Sequence, residues 1–585
     1  MSREEMDRRG WTELDVLLIT GDAYVDHPSF GVALLGRWLC AKGFRVGIVA
    51  QPRWTGPEDI ARMGRPRLFV GITAGTVDSM LAHYTAFRKK RSDDAYTPGG
   101  RAGSRPNRAC IVYTSLARHA FPGLPIVLGG IEASLRRATH YDFWTDKLRP
   151  SILLDSKADL VVYGMGEQAI LEIATRLQAL DTAEDFPAVH SSHTKAASEH
   201  ARRLSESLRG IPGTAFAVSS LEKLRGMPHV PSEDEIITLP SHDAIAADPA
   251  KLMEATLAME RQVHQGKRWA TQKSGGRHVV FTSPPEPLGT VELDALYALP
   301  YTRRPHPSYT QPIPAARMIQ FSVTSHRGCA AGCTFCSITL HQGRQIRSRS
   351  AQSLRDEVHT LTQHPDWAGS ISDVGGPTAN MWGARCADDP SACKRVDCLT
   401  PTVCRHFETQ EAELVDLLRS LRAVDGVKHV RVASGVRYDL AATQGEYLRA
   451  LVREFVGGQL KIAPEHRSDH VLRLMRKPKF EEFERFLNAF EHESHEAHKE
   501  QYVIPYLISA FPGCTSKDMQ DLADWLQSRG WKPQQVQCFI PTPGAVATAM
   551  YYAGIDPKGN PIPVARTDKD RMQQHYLLVA KGEPA

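Results

Sequence analysis

Nothing in the chain approaches the ~20 consecutive apolar residues of a membrane span. The first residues, MSREEMDRRGW, lack the apolar core of a secretory signal. Neither sign of charge dominates: 71 basic and 66 acidic residues leave +5 over 585 residues. That is close to neutral and gives no global nucleic-acid footprint. No compositional extreme is present either, with 42% hydrophobic, 23% charged and 8% aromatic residues. Global disorder, collagen and small disulfide scaffolds are thereby excluded. What is present is enough chain to bury several cores, in three domains or fewer at roughly 100–200 residues per domain.

These absences set a cytoplasmic expectation, where thiols stay reduced. Cysteine is sparse, eleven in all, yet seven lie between Cys329 and Cys404. Gathered thiols in a reducing compartment point to metal binding or catalysis rather than to a disulfide framework.

Apolar strands alternate with helical stretches through the first third, at Val16 to Thr20, Arg45 to Ala50, Leu68 to Thr73, Ile126 to Gly130 and Leu160 to Gly164. This pattern predicts an open, mostly parallel, Rossmann-like α/β sheet over residues 1–238. Several strands end in glycine or polar loops, where such sheets bind ligands, although most strand-end glycines serve turn geometry. Lys89 to Arg108 and Ala183 to Ser207 read as polar surface insertions, and residues 239–314 as a mixed connector. From residue 315 to 585 six strands alternate with five helices. A full barrel of this type needs eight βα units, so six predict a partial (β/α)6 barrel with its chemistry on loops after the strands.

The loop after the first of these strands reads Arg327-Gly328-Cys329-Ala330-Ala331-Gly332-Cys333-Thr334-Phe335-Cys336. Three thiolates spaced C-x3-C-x2-C can hold three irons of a 4Fe–4S cube and leave the fourth open to a ligand. A structural zinc site is the plain alternative. It needs four ligands, and His326 or His341 would have to complete it.

C-x3-C-x2-C with an aromatic residue before the last cysteine resembles the radical S-adenosylmethionine superfamily. The chain is similar to the YgiQ family in particular. The similarity is carried by DAYVDHPSFG from Asp22, GGIEASLRR from Gly129, RGCAAGCTFCSIT from Arg327, GPTANM from Gly376, ASGVRYDL from Ala433, LKIAPEH from Leu460 and KEQYVIPYLISAFPG from Lys499.

This resemblance implies a radical S-adenosylmethionine enzyme of unknown substrate. Its 4Fe–4S cluster would sit on Cys329, Cys333 and Cys336. Gly375 and Gly376 would meet the methionine amino group, with Pro377 where an acidic residue is common. Ser434 and Arg437 would face the ribose and carboxylate, and Glu465 would be a further cofactor contact. An electron donor such as flavodoxin or ferredoxin is implied as partner. The competing class is an Fe–S electron carrier or redox sensor that does not cleave the nucleoside.

The N-terminal sheet resembles the cobalamin-binding domains that precede some such barrels. Val25 stands where the D-x-H-x-x-G motif would put its aspartate before His27, so cobalamin is not expected. An insertion at 383–406 carries Cys386, Cys393, Cys398 and Cys404. It is short of apolar residues, and a second Fe–S cluster or a zinc ion would explain its order. Cys40 and Cys110 read as core, and Glu491 to Glu500 as a solvated helix face. Arg344, Arg347 and Arg349 form a basic stretch, but without an RNA-binding module nucleic acid is not an expected partner.

Overall fold

The computed structural model describes residues 1–181, 195–225, 227, 230–388, 393–442, 445–533 and 535–579. The chain divides into two compact units, one of Met1–Glu286 with Leu299–Arg317, the other of Pro287–Ala298 with Met318–Ala585. Among the described residues no helix is long and apolar enough to cross a membrane.

The first unit is built on a nine-stranded mixed sheet. Val16–Thr20 lies between Val46–Ala50 and Phe69–Thr73, both parallel to it, followed by Ile126–Leu128 and Leu160–Val162. Val16–Thr20 is buried at every position rather than at alternate ones, as in a strand covered on both faces. Leu17 and Ile19 join a core with Tyr113, Ala117 and Phe121, while Val16 and Leu18 join another with Ile170, Ile173 and Leu177. The helices Ala109–Ala120 and Glu167–Asp181 thus cover opposite faces.

The sheet continues beyond these five strands. Thr214–Val218 pairs antiparallel with Leu160–Val162, and Arg277–Phe281, Trp269–Ser274 and Ile236–Leu239 follow. The expectation of a mixed connector over 239–314 is therefore corrected in part: its helical piece is present as Ala250–Gln265, but the segment also completes the sheet. Its hairpin buries Trp269, Ala270, Val279, Val280 and Phe281 in the sheet. Its helix Thr290–Tyr297 belongs to the second unit.

The expected insertion at 89–108 exposes Lys89 to Asp93 but anchors its later part through a buried arginine. Arg105, 1% exposed, bridges Asp22 at 2.8 Å and Asp94 at 2.8 Å. A polar composition is compatible with burial when its charges pair. In the other expected insertion, 183–194 lie outside the described residues and Lys195–Ser207 is helical. Cys110 is core, whereas Cys40 is exposed at the end of helix Gly31–Ala41.

The second unit carries its strands in chain order. Ser322–Thr324 pairs in parallel with Asp373–Gly375, and Ser370–Ile371 with His429–Val430. Gln459–Glu465, Tyr502–Ser509 and Gln535–Cys538 form a parallel trio. No ladder among the described residues joins the third of these strands to the fourth. Intervening helices bury one face each, as Leu414, Leu417, Leu418 and Leu421 do in Glu411–Arg422. The first strand of this unit begins only at Ser322. Pro314 opens a short helix, Pro314–Ile319, because its fixed φ suits a first helical turn.

Candidate active site

The strand Ser322–Thr324 delivers the cysteine loop. His326–Arg327 pairs with Arg347–Ser348, which returns the chain beneath it. Gly328 sits at φ +81°, and a Cβ there would lie 2.1 Å from the Gln345 carbonyl oxygen, so only glycine lets the loop turn. The loop is then tied down from several sides. Thr334 donates its N–H to Met475 O (3.1 Å) and its hydroxyl to Leu474 O (2.9 Å), and it accepts from Ala547 N (2.9 Å). Arg476 donates to Gly332 O at 3.2 Å.

Cys329, Cys333 and Cys336 are all free thiols. Burial pushes the Cys336 thiol up to about 12, and the charges of Cys333, Cys329 and Glu465 add to the rise. Cys333 is raised by burial too, while Lys477 and Arg437 pull the other way. The three sulfurs therefore lie within electrostatic reach of one another, in surroundings that disfavour bare thiolates. Among the described residues no group of His, Cys, Asp or Glu is arranged to hold a metal ion.

Glu465 ends the strand Gln459–Glu465 at φ +69°, a sparsely populated conformation for a residue with a side chain. Burial raises its pKa against the opposing pull of Lys477 and Arg437. The Lys477 ammonium is 3.8 Å from its carboxylate and donates to Ala463 O at 2.7 Å. Arg437 is buried. Its fork meets Asp439 at 2.9 and 2.6 Å, and its backbone N–H donates to Asn380 Oδ1 at 2.9 Å. Burial opposes the Arg437 charge, and Asp439 outweighs it. The adjacent Tyr438 hydroxyl is buried with no hydrogen-bond partner among the described residues.

The glycine pair also has a packing reason of its own. A Cβ on Gly376 would meet His326 Cε1, Nε2 and O, each at 2.7 Å, and one on Gly375 would meet Ser434 Oγ at 2.8 Å. Both glycines admit neighbouring strands' side chains. Ser434 is already engaged, its hydroxyl and N–H held by Asp373. Lys477, Asp373 and Asn380 escaped the sequence reading. Their partners lie up to 61 residues away in sequence, and no local spacing reports such pairs.

In the 383–406 insertion, Cys386, Cys393, Cys398 and Cys404 are described, while residues 389–392 lie outside the described residues. The basic stretch is not a surface patch: Arg349 and Arg344 are buried, and Arg349 pairs with Glu357. His492, His495 and His498 do face solvent. In the first unit His27 is buried, its Nδ1 accepting from Ser29 N at 3.1 Å and its Nε2 lying 3.0 Å from the Arg303 guanidinium.

Residues 1–322 match the family model described as Radical SAM N-terminal, and 534–581 match a domain of unknown function, DUF3362. A UPF0313 protein of Geobacter sulfurreducens is 48% identical over 585 residues, covering 99% of this chain and 91% of that protein. One from Methanosarcina mazei is 46% identical, covering 99% and 94%. The chain belongs to the UPF0313 (YgiQ) family of radical SAM proteins. Family membership thus bears out the resemblance read from the cysteine loop and its companion segments. A solved structure of the methyltransferase TsrM from Kitasatospora setae, titled as holding cobalamin and a [4Fe-4S] cluster, is 15% identical. Its TM-score is 0.49, and the match covers 91% of this chain and 77% of that one. The expectation of no cobalamin draws no support from these comparisons.

Proposed function

We propose that this UPF0313 chain binds a 4Fe–4S cluster through Cys329, Cys333 and Cys336 and uses it to cleave S-adenosylmethionine reductively. The observation that carries the reading is the buried thiol trio. Cys333 and Cys336, both raised chiefly by burial with neighbouring thiols adding to the rise, stand with Cys329 as a donor set that a cationic cluster would satisfy. Three protein ligands leave one iron for the amino and carboxylate groups of the nucleoside. Bound and reduced there, such a cluster would supply the electron for reductive cleavage of S-adenosylmethionine to methionine and a 5′-deoxyadenosyl radical, able to abstract a substrate hydrogen.

This chain's residues do the rest. Glu465 and Lys477 set the local charge beside Cys333 and Cys336. Asp439 holds the Arg437 fork in place, leaving its remaining N–H groups for a carboxylate. Asp373 orients Ser434 at the end of the neighbouring strand. His27 would have to leave Arg303 before its Nε2 could bind a corrinoid, so a cobalamin role is not part of this reading.

The test is anaerobic reconstitution followed by dithionite and chromatography. The cluster-replete protein is expected to release 5′-deoxyadenosine slowly without added substrate, and Cys329→Ala, Cys333→Ala and Cys336→Ala together to release none. A replete sample that binds the nucleoside yet yields no deoxyadenosine would replace this reading with an electron carrier or redox sensor.

A further inference from the structure

The second group of cysteines is brought together by its backbone. Arg385–Cys386 pairs antiparallel with Phe407–Glu408, Cys386 opposite Phe407. Phe407 N donates to Cys404 O at 3.0 Å, and Cys404 N donates to Cys398 O at 2.7 Å. Three of the four cysteines are thus placed by main-chain bonds within a single small knot. Cys393 joins them electrostatically. The Cys398 thiol is pushed up to about 11 by burial, with Arg344 opposing the rise and Cys404, Cys386 and Cys393 each adding to it.

The knot is held by polar devices. Asp397, 1% exposed, accepts from Leu399 N (2.8 Å), Thr400 N (2.5 Å) and the Thr400 hydroxyl (2.6 Å). Arg395 donates to the carbonyls of Asp397, Thr400 and Thr402. Apolar support is thin: Leu399 and Ala384 reach a small core, and Val396 and Val403 are exposed. Little burial is therefore available against an ordering cost of ~1–2 kcal/mol per residue.

Four sulfurs ligating one zinc each stand ~2.3 Å from it and so crowd together. A cube interposes four irons, so its cysteines stand further apart while still feeling each other's charge. Cys398 feels the charge of all three of the other thiols. In the first loop Cys336 likewise feels the charge of Cys333 and Cys329.

The two sets also touch. Cys398 N donates to Ala330 O at 3.0 Å, inside the first cysteine loop. A Cβ on Gly332 would meet Asp397 Cβ at 2.7 Å and Val396 O at 3.0 Å, so that glycine admits the knot against the loop.

We propose that Cys386, Cys393, Cys398 and Cys404 ligate a second 4Fe–4S cluster, packed beside the first cysteine loop. All four irons carry protein sulfur, so this cluster has no open position for a nucleoside. Arg344, beside Cys398, offsets part of the negative charge that four thiolates bring. The proposal does not depend on nucleoside cleavage, and its test is chosen to keep the two apart.

The full chain is reconstituted anaerobically with iron and sulfide. Iron, sulfide and zinc are counted, and the reduced protein is examined by electron paramagnetic resonance. The parent is expected to hold about eight irons, and each of two variants about four, one cube having been removed. One variant combines Cys386→Ala, Cys393→Ala, Cys398→Ala and Cys404→Ala. The other combines Cys329→Ala, Cys333→Ala and Cys336→Ala, and its remaining signal should not change when S-adenosylmethionine is added. A first-loop variant free of iron, or one holding a single zinc instead, overturns the proposal. If the fourfold variant fails to fold, the threefold variant still decides. Four irons retained there, with no deoxyadenosine from the parent, would keep the second cluster and remove only the cleavage reading.

Discussion

Glu411 opens the helix Glu411–Arg422 yet is almost fully buried, with Asn380 Nδ2 3.4 Å from one carboxylate oxygen and, among the described residues, no hydrogen-bond partner for the other. Burial raises its pKa from 4.5 to about 7, Asn380 lowering and Asp439 adding to it. The sign of the pH effect follows. Below about pH 4.5 both folded and unfolded chains hold this proton, and its stabilisation is fully present. As pH rises toward 7 the unfolded chain loses the proton first, so stability falls, and the loss is complete above the folded value. Glu411→Gln keeps an oxygen for Asn380 and removes the titration. Between pH 4.5 and 7 the parent's denaturation midpoint should fall relative to the variant's, and at pH 8 the variant should be the more stable. Parallel midpoints across that window would show that Glu411 does not titrate there.

At the scale of elements, the end of the strand Asp373–Gly375 is fixed by close approach. The Gly376 Cβ position is occupied by His326, including its backbone oxygen, which cannot swing aside. Gly376→Ala should therefore cost about 1–3 kcal/mol, the usual penalty for overpacking a filled site. Gly435→Ala, where nothing lies within 4 Å, should stay within about 0.5 kcal/mol of the parent. Paired urea titrations check both, and equal midpoints for the two variants would mean that the strand end yields. Sequence announced this glycine pair but not its reason. Periodicity located Val16–Thr20 to the residue, because a run of apolar residues reports burial directly. It missed the anchoring of 89–108, since Arg105 becomes a core residue only through Asp22 and Asp94. It also missed the joining of Trp269–Ser274 to the sheet, since strand partners there are set by tertiary pairing.

For the molecule as a whole, the seven clustered cysteines all fall in the unit of Pro287–Ala298 and Met318–Ala585. The nine-stranded sheet is built entirely from the other unit. That division was legible in part. The cysteine motif and the strands that alternate with helices around it were readable from spacing and alternation, whereas the boundary near residue 286 was not, because Arg277–Phe281 looks like linker until its antiparallel partners are known. The division has a measurable consequence. Metal binding adds its free energy to the folding of the segment that supplies the ligands, and local opening reports local stability. Stripping iron from the reconstituted chain with chelator and ferricyanide should speed amide exchange in 326–348 and 385–408, where short two-residue ladders and few apolar side chains leave the ligands to hold the backbone. Exchange at 16–20, 69–73 and 126–128 should not change, because those strands are stabilised by the two apolar cores on either face of their own sheet. Mass-spectrometric exchange on holo and stripped protein makes the comparison. Equal acceleration in both sets of peptides would show that the metal sites stabilise the entire chain and not one unit of it.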